Sequence, residues 1–254
     1  MRMGRVFKVP REPGAGGTII LSMVGGLILA HADWRGWLIG ITAALITFFT
    51  FDYAFDSYRS WRLEGMALAL GINGLAYLLP AWYWFGKGIL EPSTDNPLLI
   101  PLGVVAVLFA LHFAFSRTRG WKSPVTYALG NLLPAVPALF APAVSGRAFS
   151  YDVFVFWFLL AYYEAIGAAY VETKLAFRKF PRKYPLIAWL SAFFVILYNP
   201  YLILALIEPT VRLVRNLKDS TYVAKIDDIK RLGWSVFRSV MLLYVITLAV
   251  LYLK

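Results

Sequence analysis

Cysteine is absent from the 254 residues, and histidine occurs only at His31 and His112. The first absence excludes disulfides, thiolate nucleophiles and Cys-ligated metals. With one histidine expected near each membrane face, a histidine-held metal is excluded as well. Charge is also scarce: 15% of residues are charged against 60% hydrophobic, with a mean hydropathy of +0.65. No polar stretch is long enough for a soluble domain. No secretory signal is expected, because the apolar run from Gly16 lacks a small-residue cleavage site and further apolar runs follow it. What remains in abundance is a series of runs long enough to cross a bilayer. In lipid only helices or closed barrels satisfy their own backbone groups, and these runs are too long for barrel strands. The expected fold class is therefore all-α, a polytopic transmembrane bundle.

About nine spans are expected, near 18–30, 36–55, 66–85, 97–115, 125–141, 153–170, 186–198, 201–214 and 234–253. The seventh and eighth are short. They are separated at Asn199-Pro200, because one continuous span would carry the basic segment 212–231 to the opposite face. The formal net charge is +11, which would suggest nucleic acid if it were spread over a soluble surface. Placed on nine spans it segregates instead: one face receives only Arg35, Lys87, Arg147 and Lys254, and the other 20 of the 25 Lys and Arg. The positive-inside rule then sets the N-terminus in the cytoplasm of a multi-pass cell-membrane protein, with anionic lipid and not nucleic acid as the partner of its basic surface. The chain reads as a single integral membrane domain over 1–254, with a cytoplasmic tail at 1–17 and a cytoplasmic loop at 216–233. Prolines and glycines in the tail predict no helix before about Thr18.

Candidate chemistry sits at the cytoplasmic helix ends. Asp52 and Asp56, four residues apart after the second span, stack on one helix side, where like charges repel unless something neutralises them. A divalent cation would do so, since Mg²⁺ combines one or two carboxylates with phosphate oxygens; a pairing of Asp56 with Arg59 is the structural alternative. In the sixth span Glu164 and Glu172 are two turns apart along one side. Asn73 reads as interhelical glue. Glu208, a lone carboxylate within the eighth span, calls for a partner, and Arg212 at i+4 is the simplest.

Two resemblances attach to these residues. The tail Pro10-Arg11-Glu12-Pro13-Gly14-Ala15 and the stretch Gly167-Ala-Ala-Tyr-Val-Glu-Thr-Lys174 resemble the YwiC-like membrane family, which usually has His where this chain has Pro13. The fifth span, Lys122 to Phe140 with Gly130, Asn131, Pro134 and Pro137, resembles that of the UbiA superfamily of intramembrane prenyltransferases, whose acidic motifs follow the second and sixth spans. Here Phe48 and Phe49 stand at the first two positions of the first motif, and Ala168 replaces an acidic partner in the second.

The UbiA resemblance implies a nine-span fold and prenyl transfer from a prenyl diphosphate to a lipid-soluble acceptor. Asp52, Asp56 and Glu172 would hold Mg²⁺, with Glu164 the further acidic residue. Arg59, Arg62, Arg119, Lys122 and Lys174 would face the diphosphate, and Tyr53, Tyr163, Tyr170 and Asn131 would line the substrate path. The YwiC-like resemblance implies instead a non-catalytic membrane protein that binds or moves a lipid or small anion.

Overall fold

The structure, a computed structural model, describes residues 6–10, 13–90, 96–121, 123–176, 180–219, 221–223 and 225–254. Lys122, Arg11 and Glu12 of the N-terminal tail motif, and Arg178 and Lys179 of the basic loop fall outside them. The described residues are helical, and no strand forms among them beyond an isolated bridge between Leu175 and Val223. In chain order the helices are α1 (Pro13–Leu29), α2 (Trp34–Arg59), α3 (Leu63–Phe85), α4 (Leu99–Arg119), α5 (Pro124–Gly130), α6 (Pro137–Val144), α7 (Tyr151–Lys174), α8 (Lys183–Leu190), α9 (Ile203–Lys218) and α10 (Ile226–Tyr252).

Among the described residues, six helical stretches are long and apolar enough to cross a membrane: α2, α3 with its 3-10 extension, α4, α5 together with α6, α7 and α10. The expected count of about nine is not confirmed on length and composition. The shortfall is α1 and the two arms on either side of Asn199-Pro200. Two expectations are corrected. Helix is already present at Pro13, ahead of Thr18, and the glycines allow close packing: a Cβ on Gly16 would lie 2.6 Å from the Phe48 ring. The 216–233 loop shrinks to a short link, because α9 runs to Lys218 and α10 starts at Ile226. Arg215 and Lys218 in the last turn of α9, and Asp227 and Asp228 in the first turn of α10, suit the helix dipoles and extend both ends.

The chain forms two compact units, one of residues 1–105 and 134–157, the other of 106–133 and 158–254. In the first, α1 is enclosed by α2 and α6, with Ile19, Met23 and Leu27 fully buried. Small residues allow this. A Cβ on Gly26 would lie 2.7 Å from the Ala138 carbonyl oxygen, and one on Gly40 would lie 2.9 Å from Leu27. Without a hydrophobic drive between lipid-immersed helices, such close backbone approach and interhelical hydrogen bonds hold the bundle.

Asn73 supplies the bonds between α3 and α2. Its amide donates to Thr50 Oγ1 (2.9 Å) and to the Ala69 carbonyl (2.9 Å), and its Oδ1 accepts from Thr47 (2.8 Å). Because the Thr47 proton goes to Asn73, the Tyr77 hydroxyl 2.8 Å away donates to Thr47, and every polar atom of the cluster is satisfied. Two helices of this unit end on residues other than glycine in left-handed conformation, His31 (φ 49°) after α1 and Trp61 (φ 53°) after α2. In both, the following N–H reaches back five residues, Ala32 to Leu27 (3.0 Å) and Arg62 to Ser57 (2.9 Å), which is the Schellman stop that permits an immediate hairpin.

The helix of the fifth span is interrupted around its prolines. Helix stops at Gly130 and resumes at Pro137 after a 3-10 turn over Leu133–Ala135. The freed Pro134 carbonyl accepts a long bond from Ser22 Oγ (3.4 Å).

These close approaches yield a stability test. Gly26→Ala forces the α1 and α6 backbones apart and should lower stability by about 1–3 kcal/mol. Gly71→Ala, on an exposed helical position where an added methyl would meet nothing within 4 Å, should be neutral or stabilising by up to about 1 kcal/mol. Melting in detergent checks both, and equal effects would refute the packing role of Gly26.

Candidate functional site

Asp52 and Asp56 lie in the last turns of α2, both half-buried, beside exposed Arg59 and Arg62. The Arg62 guanidinium sits 6.0 Å from the centre of the buried Tyr53 ring, and Tyr53 packs with Val6 and Ala69. All of these belong to the first unit. Glu164, Glu172, Arg119, Asn131, Tyr163, Tyr170 and Lys174 belong to the second. Among the described residues, no group of three His, Asp or Glu side chains suited to a metal ion is found.

In the second unit several expected substrate contacts have other partners. Lys174 is only 3% exposed and is bound by the Asp219 carboxylate. Asn131 caps α5 by donating to the Tyr127 carbonyl (2.8 Å). Tyr163 is covered by the fully buried Trp189, ring centres 5.2 Å apart. Tyr170 is half-buried and 5.9 Å from the Lys174 ammonium. Glu172 is buried in the last turn of α7, whereas Arg119 is exposed.

The site this unit does assemble is centred on Glu208. The α8 helix, a 3-10 run to Leu197 and α9 make a hairpin whose tip is Asn199, extended in backbone and capping the turn through Tyr201 N (3.0 Å). The arms are joined by Trp189 Nε1 donating to Thr210 Oγ1 (3.0 Å). On α9, Glu208 Oε1 accepts from Arg212 Nε (3.1 Å) and pairs with Nη2 (3.1 Å), and Arg212 Nη1 continues to Ser235 Oγ (3.0 Å) on α10. Glu208 Oε2 accepts from Ser239, and Tyr163 OH lies 2.6 Å from the same serine. A serine has one proton to give. Since it goes to the carboxylate, the phenol must donate to Ser239, and the chain runs Tyr163 to Ser239 to Glu208. Three helices are thus tied by one ionised acceptor. The i+4 partner was legible in the sequence, but Ser239, Ser235 and Tyr163 carry no local signal.

One end of this unit gathers the chain links. Val223 N donates to the Lys174 carbonyl (2.8 Å), and Arg182 Nη2 donates to the Thr221 carbonyl (3.0 Å) while stacking 4.6 Å from the Tyr222 ring centre. Asp219 is held well below the usual carboxylate range, first by the Lys174 hydrogen bond and then by Thr221. Asn216 is buried alongside, its amide donating to Thr173 (3.0 Å). The hairpin tip lies at the other end, where the Lys254 ammonium stands 4.1 Å over the Tyr198 ring. Lys174, Arg182, Lys183, Lys218 and Lys225 collect at the first end and Lys254 at the second. No family model, no curated protein and no solved structure matches the chain.

Glu208 gives the site its test. In Glu208→Gln the amide oxygen still accepts from Ser239, whereas Glu208→Leu strands Arg212 and the serine. The leucine variant should lose about 1–3 kcal/mol of stability and the glutamine variant less than half of that. Detergent melting that found both equal and negligible would show the carboxylate to be in open water.

Proposed function

We propose that the protein is a non-catalytic, nine-pass membrane protein that binds an anionic amphiphile, lipid or small anion, at the basic end of its second unit. The observation that carries this reading is the internal commitment of groups a transferase would present to substrate: Asp219 takes Lys174, and Trp189 covers Tyr163. The cations left exposed at that end, Lys183, Lys218 and Lys225 among them, surround no cluster of three carboxylates among the described residues.

Nine passes are reached by counting α1 and both hairpin arms. The arm formed by α8 and its 3-10 run extends about 26 Å, and α9 about 24 Å, close to the roughly 30 Å hydrocarbon thickness when the flanking residues snorkel. Opposite placement of the Lys174 end and the Lys254 end supports a hairpin that reaches across. The basic end is assigned to the cytoplasm by the positive-inside rule.

A second reading, UbiA-like prenyl transfer, is favoured by one observation: Asp52 and Asp56 share a half-buried helix side near Tyr53 and Arg62. Two carboxylates fit Mg²⁺ only with diphosphate oxygens completing the shell, and a bound Mg²⁺ would offset leaving-group charge. In that case metal and prenyl diphosphate would each tighten the other by the same factor.

Melting of the purified protein against prenyl diphosphates, with and without Mg²⁺, separates the two readings. The expected result is no Mg²⁺-dependent rise. A saturable rise that Asp52→Asn/Asp56→Asn abolishes would overturn the non-catalytic reading.

A further inference from the structure

Helix α9 is amphipathic in the inverse sense. Its polar residues Glu208, Arg212 and Asn216 turn toward α7 and α10, while Ile203, Leu204, Ile207, Val211 and Val214 are 41–53% exposed. At about 100° per residue these five form one stripe, and Lys218 falls in the middle of it at the last turn. Helix α10 repeats the pattern. Its exposed positions Leu242 and Val245 lie in line with Arg238, Trp234 and Arg231 toward its N-terminus.

The two stripes share a side. The bonds from Glu208 to Ser239 and from Arg212 to Ser235 set α9 and α10 antiparallel and in register. On each helix the exposed stripe lies before the contact face counted along the sequence, by about 110° on α9 and about 80° on α10. Because the helices run in opposite directions, those offsets open on the same side. The same register sets Arg215 and Lys218 level with Lys230 and Arg231, all four exposed, and turns Arg215 and Arg231 toward the seam. Of the nearby acids, Asp219 is committed to Lys174, and Asp227 and Asp228 lie in the first turn of α10, beyond Arg231 from the apolar stripe. Like charges converge where two apolar stripes end, with Trp234, 64% exposed, at the boundary where an indole suits the headgroup region.

We infer that this joint face of α9 and α10 is a binding site for a phospholipid with an anionic headgroup, its acyl chains along the stripes and its phosphate at Arg215 and Arg231. The inference rests on the proposed anionic-amphiphile reading and locates the site. Guanidinium groups suit phosphate because their paired donors match two of its oxygens. An isolated anion would gain the charges but none of the apolar contact.

The test uses the full chain in detergent, titrated with phosphatidylglycerol, phosphatidylcholine, glycerol 3-phosphate and inorganic phosphate, with melting temperature as the readout. Phosphatidylglycerol should raise the melting temperature saturably and beyond phosphatidylcholine, and the two soluble phosphates should not. In Arg215→Gln/Arg231→Gln the half-saturating phosphatidylglycerol concentration should rise about tenfold or more, with lipid-free melting unchanged. Arg215→Lys/Arg231→Lys, which keeps the charge, should fall between, and its partial retention guards against a folding defect in the glutamine pair. If the glutamine variant responds to phosphatidylglycerol as the wild type does, the inference is overturned while the anionic-amphiphile reading stands. Equal shifts from soluble phosphates would overturn the lipid assignment, and a wild type indifferent to every anion would remove the reading as well.

Discussion

The Glu208 carboxylate is the constraint around which the second unit is arranged. A carboxylate drawn partly out of water is costly unless protein groups replace its hydration. Here they come from its own helix through Arg212 and from α10 through Ser239. The requirement fixes more than one bond. Because Ser239 must donate to the carboxylate, Tyr163 must donate to Ser239, which draws α7 onto the pair. Arg212, held by Glu208, reaches Ser235 and sets the register of α9 on α10. From that register follow the direction of the apolar stripes and the level at which the cations meet.

The first unit solves the same problem with neutral groups. Asn73 between Thr47 and Thr50 leaves no donor or acceptor wasted, and glycines bring backbones close enough for dispersion to substitute for the missing hydrophobic drive. Ahead of α6 the chain passes through a short 3-10 segment, and the Ser22 hydroxyl of α1, bonded first to the Ile19 carbonyl, also reaches the Pro134 carbonyl. Non-helical backbone at membrane depth is tolerated where protein encloses it, and Pro134, Ala135 and Pro137 are buried.

The helical class, the break at Asn199-Pro200, the bridging role of Asn73 and the pairing of Glu208 with Arg212 were legible in the sequence, because each depends on local chemistry or on spacing along one helix. The surroundings of the helices were not, since hydropathy does not show that α1 is enclosed by α2 and α6 or that α9 lays its polar residues against α7 and α10. The partner of Lys174 lies 45 residues away at Asp219, and Ser239 is a serine among many. Such pairings depend on which helices meet, which no local pattern records. The aspartate pair stands where it was expected, at the end of α2, and the residues expected to complete it lie in the other compact unit.

The central claim is that α9 turns Glu208 and Arg212 inward and its apolar stripe to lipid. The absence of cysteine allows single-site spin labels without background. Labels at Ile207, Leu206 and Lys218 in bilayers, probed by collision with oxygen and with a water-soluble nickel chelate, read this most directly. The account predicts a label at 207 exposed to oxygen and shielded from nickel, one at 206 shielded from both, and one at 218 reached by nickel. A label at 207 readily reached by the nickel chelate would place the stripe in water and contradict the account.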